Sequence, residues 1–165
     1  LALGATFLRE LEKEFLWSEE MQERRLVIAN FLRKHKDSEK TPPEEVAHLL
    51  DWMDQVGLYA RKGVIDIEMV WTTLFYWYAH YWVLLGVYAK QYEARGGGIA
   101  FYENARVFYK KLYRFGERHK GLPSTDIYFT QERLLTFIDV EISQCSSEIP
   151  EKIIGRHKTR SKNTG

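Results

Sequence analysis

The sequence predicts an all-α fold: a single compact bundle of about six helices around a central, aromatic-rich helix. Two patterns carry that expectation. Apolar residues recur at spacings of three and four along most of the chain, and no short run alternates apolar with polar residues between hairpin turn signals. Composition agrees with a folded domain. The 165 residues are 45% hydrophobic and 28% charged, enough apolar side chains to bury one core and unlike a disordered or collagen-like chain.

The first helix is expected from about Thr6 to Phe15, where Phe7, Leu8, Leu11, Phe15 and Leu16 make one apolar stripe. Ser18 then reads as an N-cap, with Glu19 and Glu20 in the positive first turn, and opens a helix to about Lys36. Met21, Ile28, Phe31 and Leu32 form its core face, and Arg33, Lys34 and Lys36 suit the negative end of its dipole. Asp37 to Lys40 is a polar connector. Thr41-Pro42-Pro43-Glu44 follows as a helix start, with a threonine cap, prolines where no donor is needed, and Glu44 placed for a capping box. The third helix, about Pro43 to Val56, should bury Val46, Leu49, Leu50 and Met53.

Gly57 and Gly63 then bracket a short connection, and Asp66 caps a fourth helix of about Ile67 to Tyr92, which Gly96-Gly97-Gly98 terminates. A fifth helix, about Ile99 to Arg118, carries Phe101, Ala105, Phe108, Leu112 and Phe115 on one stripe. Lys120 to Asp126 is a loop. The sixth helix, about Thr130 to Gln144, should bury Leu134, Leu135, Phe137, Ile138 and Ile142. The helical domain therefore covers residues 1–147. Residues 148–165, with Arg156, Lys158, Arg160 and Lys162 and no apolar residue after Ile154, form a basic tail expected to be disordered.

The fourth helix is the most unusual segment. From Met69 to Ala89 there are 21 residues with no formal charge apart from a proton on His80, long enough to cross a bilayer. Yet Trp71, Tyr76, Trp77, Tyr78, Tyr81 and Trp82 run through its middle, and such rings prefer the membrane interface to the lipid centre. A helix that is apolar all round is otherwise a buried one, so these rings are expected to form the core.

Charge points to a local feature. Overall, 24 Lys and Arg face 23 Asp and Glu, so net charge selects no partner. Between Arg95 and Lys120, however, seven basic residues stand against two acidic ones, and Arg106, Lys110, Arg114 and Arg118 recur every four residues as a basic ridge. With Tyr102, Tyr109 and Tyr113 nearby, such a ridge suits a phosphate backbone with stacked bases, or an anionic lipid surface. The preferred reading is a solvated face, or pairing with acidic helices such as the one that carries Glu44, Glu45, Asp51 and Asp54.

Chemistry-bearing motifs are few. Glu45 and His48 share one helix face at the spacing used in carboxylate-bridged di-iron bundles, but no second Glu-x-x-His pair exists to complete such a site. His80 lies among rings and reads as a core histidine with one hydrogen-bonded partner. Lone Cys145 cannot build an intramolecular disulfide or a thiolate cluster, which favours a reducing compartment. No nucleophile elbow occurs, and Arg95-Gly96-Gly97-Gly98 follows a helix without a Gly-Lys-Ser/Thr ending, which excludes a phosphate loop.

Trp17-Ser18-Glu19-Glu20-Met21 with Arg24, the stretch Leu50 to Asp66 (Gly57-Leu58, then Arg61-Lys62-Gly63-Val64-Ile65-Asp66), Trp71, Tyr81-Trp82, Arg95 and Phe101-Tyr102 together resemble the domain of unknown function 4760 family of uncharacterised bacterial helical proteins. The similarity runs from about Leu8 to Leu112. It implies a helical fold and, in many members, an apolar membrane-anchoring segment ahead of the domain; it supplies no catalytic residues. With Leu1 as its first residue the chain reads as a processed or trimmed form, and such an anchor would precede it.

The expected function is a non-enzymatic helical protein-interaction module. It is placed in the cytoplasm or on the cytoplasmic side of the inner membrane, with a protein partner and self-association as a homodimer. The alternative is a nucleotide- or nucleic-acid-binding domain using Arg106, Lys110, Arg114 and Arg118. A weaker third reading is an enzyme whose site is assembled from residues distant in sequence. No catalytic residue, metal or cofactor is assigned.

Overall fold

A computed structural model describes residues 2–35 and 40–147, and it is all-α: α1 (Ala2–Trp17), α2 (Glu19–Lys34), α3 (Glu44–Arg61), α4 (Ile67–Arg95), α5 (Glu103–His119), α6 (Thr125–Tyr128) and α7 (Gln131–Ser147). Six are the expected helices. The seventh, α6, is a single turn that straddles the end of the segment expected to be loop, Lys120 to Asp126, and its backbone bonds return from Ile127 and Tyr128 to the carbonyl of Ser124. The basic tail lies outside the described residues.

The local signals account for most boundaries. Ser18 is the N-cap of α2, accepting from the Met21 amide at 3.2 Å, and Asp66 caps α4 by accepting from the amides of Glu68 and Met69. Both α3 and α4 end in the same way. The amide of Val64 reaches the carbonyl of Tyr59 while that of Gly63 reaches Ala60, and Gly98 and Gly97 repeat the pattern on Glu93 and Ala94. Gly63 (φ 72°) and Gly97 (φ 81°) supply the left-handed residue that this motif requires.

Three expectations are corrected. Thr41 does not cap α3: the cap position is Pro43, with no side-chain hydrogen bond, because Pro42 precedes another proline and is held out of the helical region. Gly57 is not in a connection. It is buried inside α3, which continues to Arg61, and a Cβ there would lie 2.4 Å from the backbone oxygen of Asn104, so the glycine lets α5 pack directly on α3. Finally, α5 begins at Glu103 rather than Ile99, which leaves Phe101 exposed instead of in the core.

The core is arranged around α4, as expected. α3 packs chiefly on α5 and α2 on α7, and α4 runs between these pairs with contacts to α1, α3, α5 and α7. It buries Val70, Leu74, Phe75, Tyr78, Tyr81, Trp82, Leu85 and Tyr88, each large side chain contributing about 1.5–3 kcal/mol. Phe15 of α1 closes one end, stacking on Trp52 with ring centroids 4.8 Å apart. Among the described residues no helix is long and apolar enough to cross a membrane.

Candidate functional site

The most heavily bonded polar group in the core was not visible in the sequence. Glu141 of α7, 1% exposed, receives Arg25 Nε at 2.8 Å on one oxygen and Arg25 Nη2 at 2.6 Å on the other. Trp77 Nε1 donates to the first-named carboxylate oxygen's partner, Oε1, at 3.2 Å, and the Tyr81 hydroxyl donates to Oε2. Burial opposes the Arg25 charge, but the hydrogen bonds and charge of Glu141 outweigh it and raise the pKa of the guanidinium further. Burial, then the Glu141 charge, pushes the Tyr81 phenol well up, so it stays a donor.

The same α2 surface finishes α1. A helix leaves its last four carbonyls without intrahelical partners. Here Ser18 Oγ donates to Glu14 O at 2.6 Å, Arg25 Nη1 to Phe15 O at 3.0 Å and Gln22 Nε2 to Leu16 O at 2.9 Å. With four donors on its two oxygens, Glu141 has no lone pair directed to a substrate, and the cluster pins α1, α2, α4 and α7 together rather than serving as an acid–base site.

The basic ridge does not stay on one face. Residues in an α-helix are ~100° apart, so each four-residue step overshoots a turn by ~40° and three steps by ~120°. Arg106, at one end, is half-buried and pairs with Glu93, with Glu103 at 2.7 Å, and lies 5.9 Å from the Trp82 ring centroid. These partners lie on α4 and α5 rather than on α3. Asp54 of α3 instead caps α5 from outside, accepting from the Ala105 amide and from Asn104 Nδ2, both at 3.0 Å. Lys110, Arg114 and Arg118 are exposed and make no ion pair among the described residues.

The other candidates resolve simply. His80 is fully buried, its Nδ1 2.6 Å from Tyr76 O and its ring stacked on Phe137 at 4.7 Å. Burial lowers its pKa, against the backbone hydrogen bond and with help from the Arg133 charge, which favours the neutral ring; with Nδ1–H donating to Tyr76 O, the buried Nε2 is left as an acceptor with no partner among the described residues. His48 is exposed beside half-buried Glu45, and among the described residues no group of three or more metal-ligating side chains comes together.

Two surfaces bear on binding. One is the outer face of α4, where Tyr76 is 38% and Val87 43% exposed, with Val83 and Gly86 half-buried between them. These positions and Lys90 fall within a sector of about 100°. Gly86 is unlike the other helical glycines. A Cβ at Gly57 or Gly116 would strike a neighbouring element at 2.4 Å, whereas at Gly86 it would meet nothing within 4 Å. The other surface is a cleft of about 630 Å³ where the ends of α1, α3, α4 and α5 meet.

No family model, curated protein or solved structure matches the chain. Of the residues behind the family resemblance, Ser18 and Asp66 are caps, Gly63 is the left-handed C-terminal residue of α3 and Tyr102 is the N-cap residue of α5, whereas Trp17, Arg61 and Arg95 are exposed.

Proposed function

We propose that this domain is a helical protein-interaction module that docks through the outer face of α4, and that a second copy of the chain occupies this face in a two-fold dimer. The observation that carries the reading is Gly86. A glycine within a helix costs about 0.5–1 kcal/mol relative to alanine, and packing among the described residues gives no reason for it. Flanked by Val83 and Val87, it leaves room for a second helix to approach α4 closely. An isologous contact satisfies both faces with one surface, and two-fold dimers are the commonest closed assembly.

Sedimentation velocity across the micromolar range tests this. The wild type should pass from monomer to dimer as concentration rises, and Val87→Glu should remain monomeric with a denaturation midpoint equal to that of the wild type at concentrations where the wild type is monomeric. A wild-type protein that stays monomeric at high micromolar concentration overturns the proposal.

A further inference from the structure

We propose that the cleft between the ends of α1, α3, α4 and α5 binds a small anionic amphiphile, an acyl chain ending in a carboxylate. Its volume of about 630 Å³ lies within the range of small-molecule sites, roughly 300–1,000 Å³. Met69 and Phe108 supply apolar lining, and Val64 and Val107, both exposed, leave apolar surface at the mouth. The backbone builds this shape. Gly57 draws α3 against the first turn of α5, and Gly63 turns the chain away in a left-handed conformation, so the walls meet at the base and part above it.

Charge selects the head group. The two carboxylates that line the cleft are already committed: Asp66 accepts the Glu68 and Met69 amides, and Glu103 accepts Arg106 Nη1 at 2.7 Å. Asn104 is likewise held by Asp54. The two bases, Arg61 and Lys111, make no ion pair among the described residues. An apolar hollow therefore opens between two cations that make no ion pair among the described residues. The precession of α5 adds to this side, because Arg114 and Arg118 fall within about 60° of Lys111 around the helix axis. A carboxylate suits the planar donor fork of arginine, and an acyl chain suits the walls.

Titration calorimetry with decanoate, below its micellar concentration, provides the test, with acetate, decanol and phosphatidylglycerol vesicles as comparisons. Decanoate should bind saturably and acetate should not. Arg61→Gln combined with Lys111→Gln should weaken decanoate at least tenfold while leaving decanol unchanged. Val107→Trp, which fills the mouth, should weaken both. These positions are exposed, so circular dichroism melts should not move; the Val87→Glu variant should bind decanoate like the wild type, which separates this site from the α4 face. Loss of decanoate binding in neither the charge variant nor Val107→Trp, equal binding of acetate, or binding to vesicles alone overturns the proposal.

Discussion

Arg25 and Glu141, 116 residues apart in sequence, form a two-pronged ion pair in the core, with the guanidinium 3% and the carboxylate 1% exposed. Such a pair costs desolvation that its mutual attraction only partly offsets, but removing one partner strands the other. Glu141→Leu or Arg25→Met alone should therefore destabilise the domain by about 3–5 kcal/mol. The double variant should be less damaging than the sum of the two, a coupling that chemical denaturation of all four proteins measures. Additive losses would mean that the two charges do not compensate each other.

The glycines of α3 and α4 make opposite predictions from the same substitution. At Gly57 an added methyl group collides with the backbone of α5, so Gly57→Ala should cost about 1–3 kcal/mol as the helices are forced apart. At Gly86 it meets open space, so Gly86→Ala should raise the stability of the monomer by about 0.4–1 kcal/mol. Denaturation midpoints at low protein concentration distinguish them. Equal effects would remove the packing distinction on which the α4 face rests.

The difference between these glycines marks where the sequence stops being legible. Periodicity located the six long helices and the central position of α4, because apolar spacing reports directly on burial. Ser18, Asp66 and Gly97 act within a few residues and were readable for that reason. Gly57 reads in the sequence as the edge of a connection because its cause, Asn104, lies on another helix. Arg25 and Glu141 look like ordinary solvated charges until the fold pairs them, and Asp54 caps an α5 terminus that has no side-chain cap of its own. The ridge is half legible: a four-residue spacing predicts a row that turns about 40° per step, but not what it meets, Glu93 at Arg106 and the cleft side at Arg118.

The neutral state of His80 gives a pH dependence of definite sign. Its folded pKa is lowered, chiefly by burial, so the unfolded chain takes up a proton that the folded one resists. This contribution to stability is fully present above the unfolded value of about 6.5 and is lost as pH falls from there toward the folded value. Thermal midpoints should fall between pH 7 and pH 5.5, and fall less in His80→Phe, whose ring keeps the stack on Phe137. An equal acid response in both proteins would place the sensitivity on another group.

Trp82 tests the centrality of α4 from the side facing α5. It is buried, 6.3 Å from the Tyr109 ring and beneath the Arg106 guanidinium. Trp82→Ala should cost about 3–5 kcal/mol, as for other large aromatics removed from a core. An unchanged denaturation midpoint would place α4 at the periphery.

The ridge itself makes the last prediction, because its members differ in what they would leave behind. Arg106 compensates Glu93, which is buried, so Arg106→Glu should add a like charge there and lower stability measurably. Lys110 and Arg114 have no such partner among the described residues, and each replaced by glutamate should change stability by no more than about 0.5 kcal/mol. Their role in binding is separable by salt. A protein that neutralises phosphates releases counterions and loses affinity steeply as salt rises. With Arg106 committed to Glu93 and the other three turning around the axis, α5 offers no straight row of cations to a phosphate backbone, so single-stranded nucleic acid should not bind at physiological ionic strength. Binding that falls with salt and disappears in the Lys110→Glu, Arg114→Glu double variant would replace the protein-interaction reading with nucleic-acid recognition.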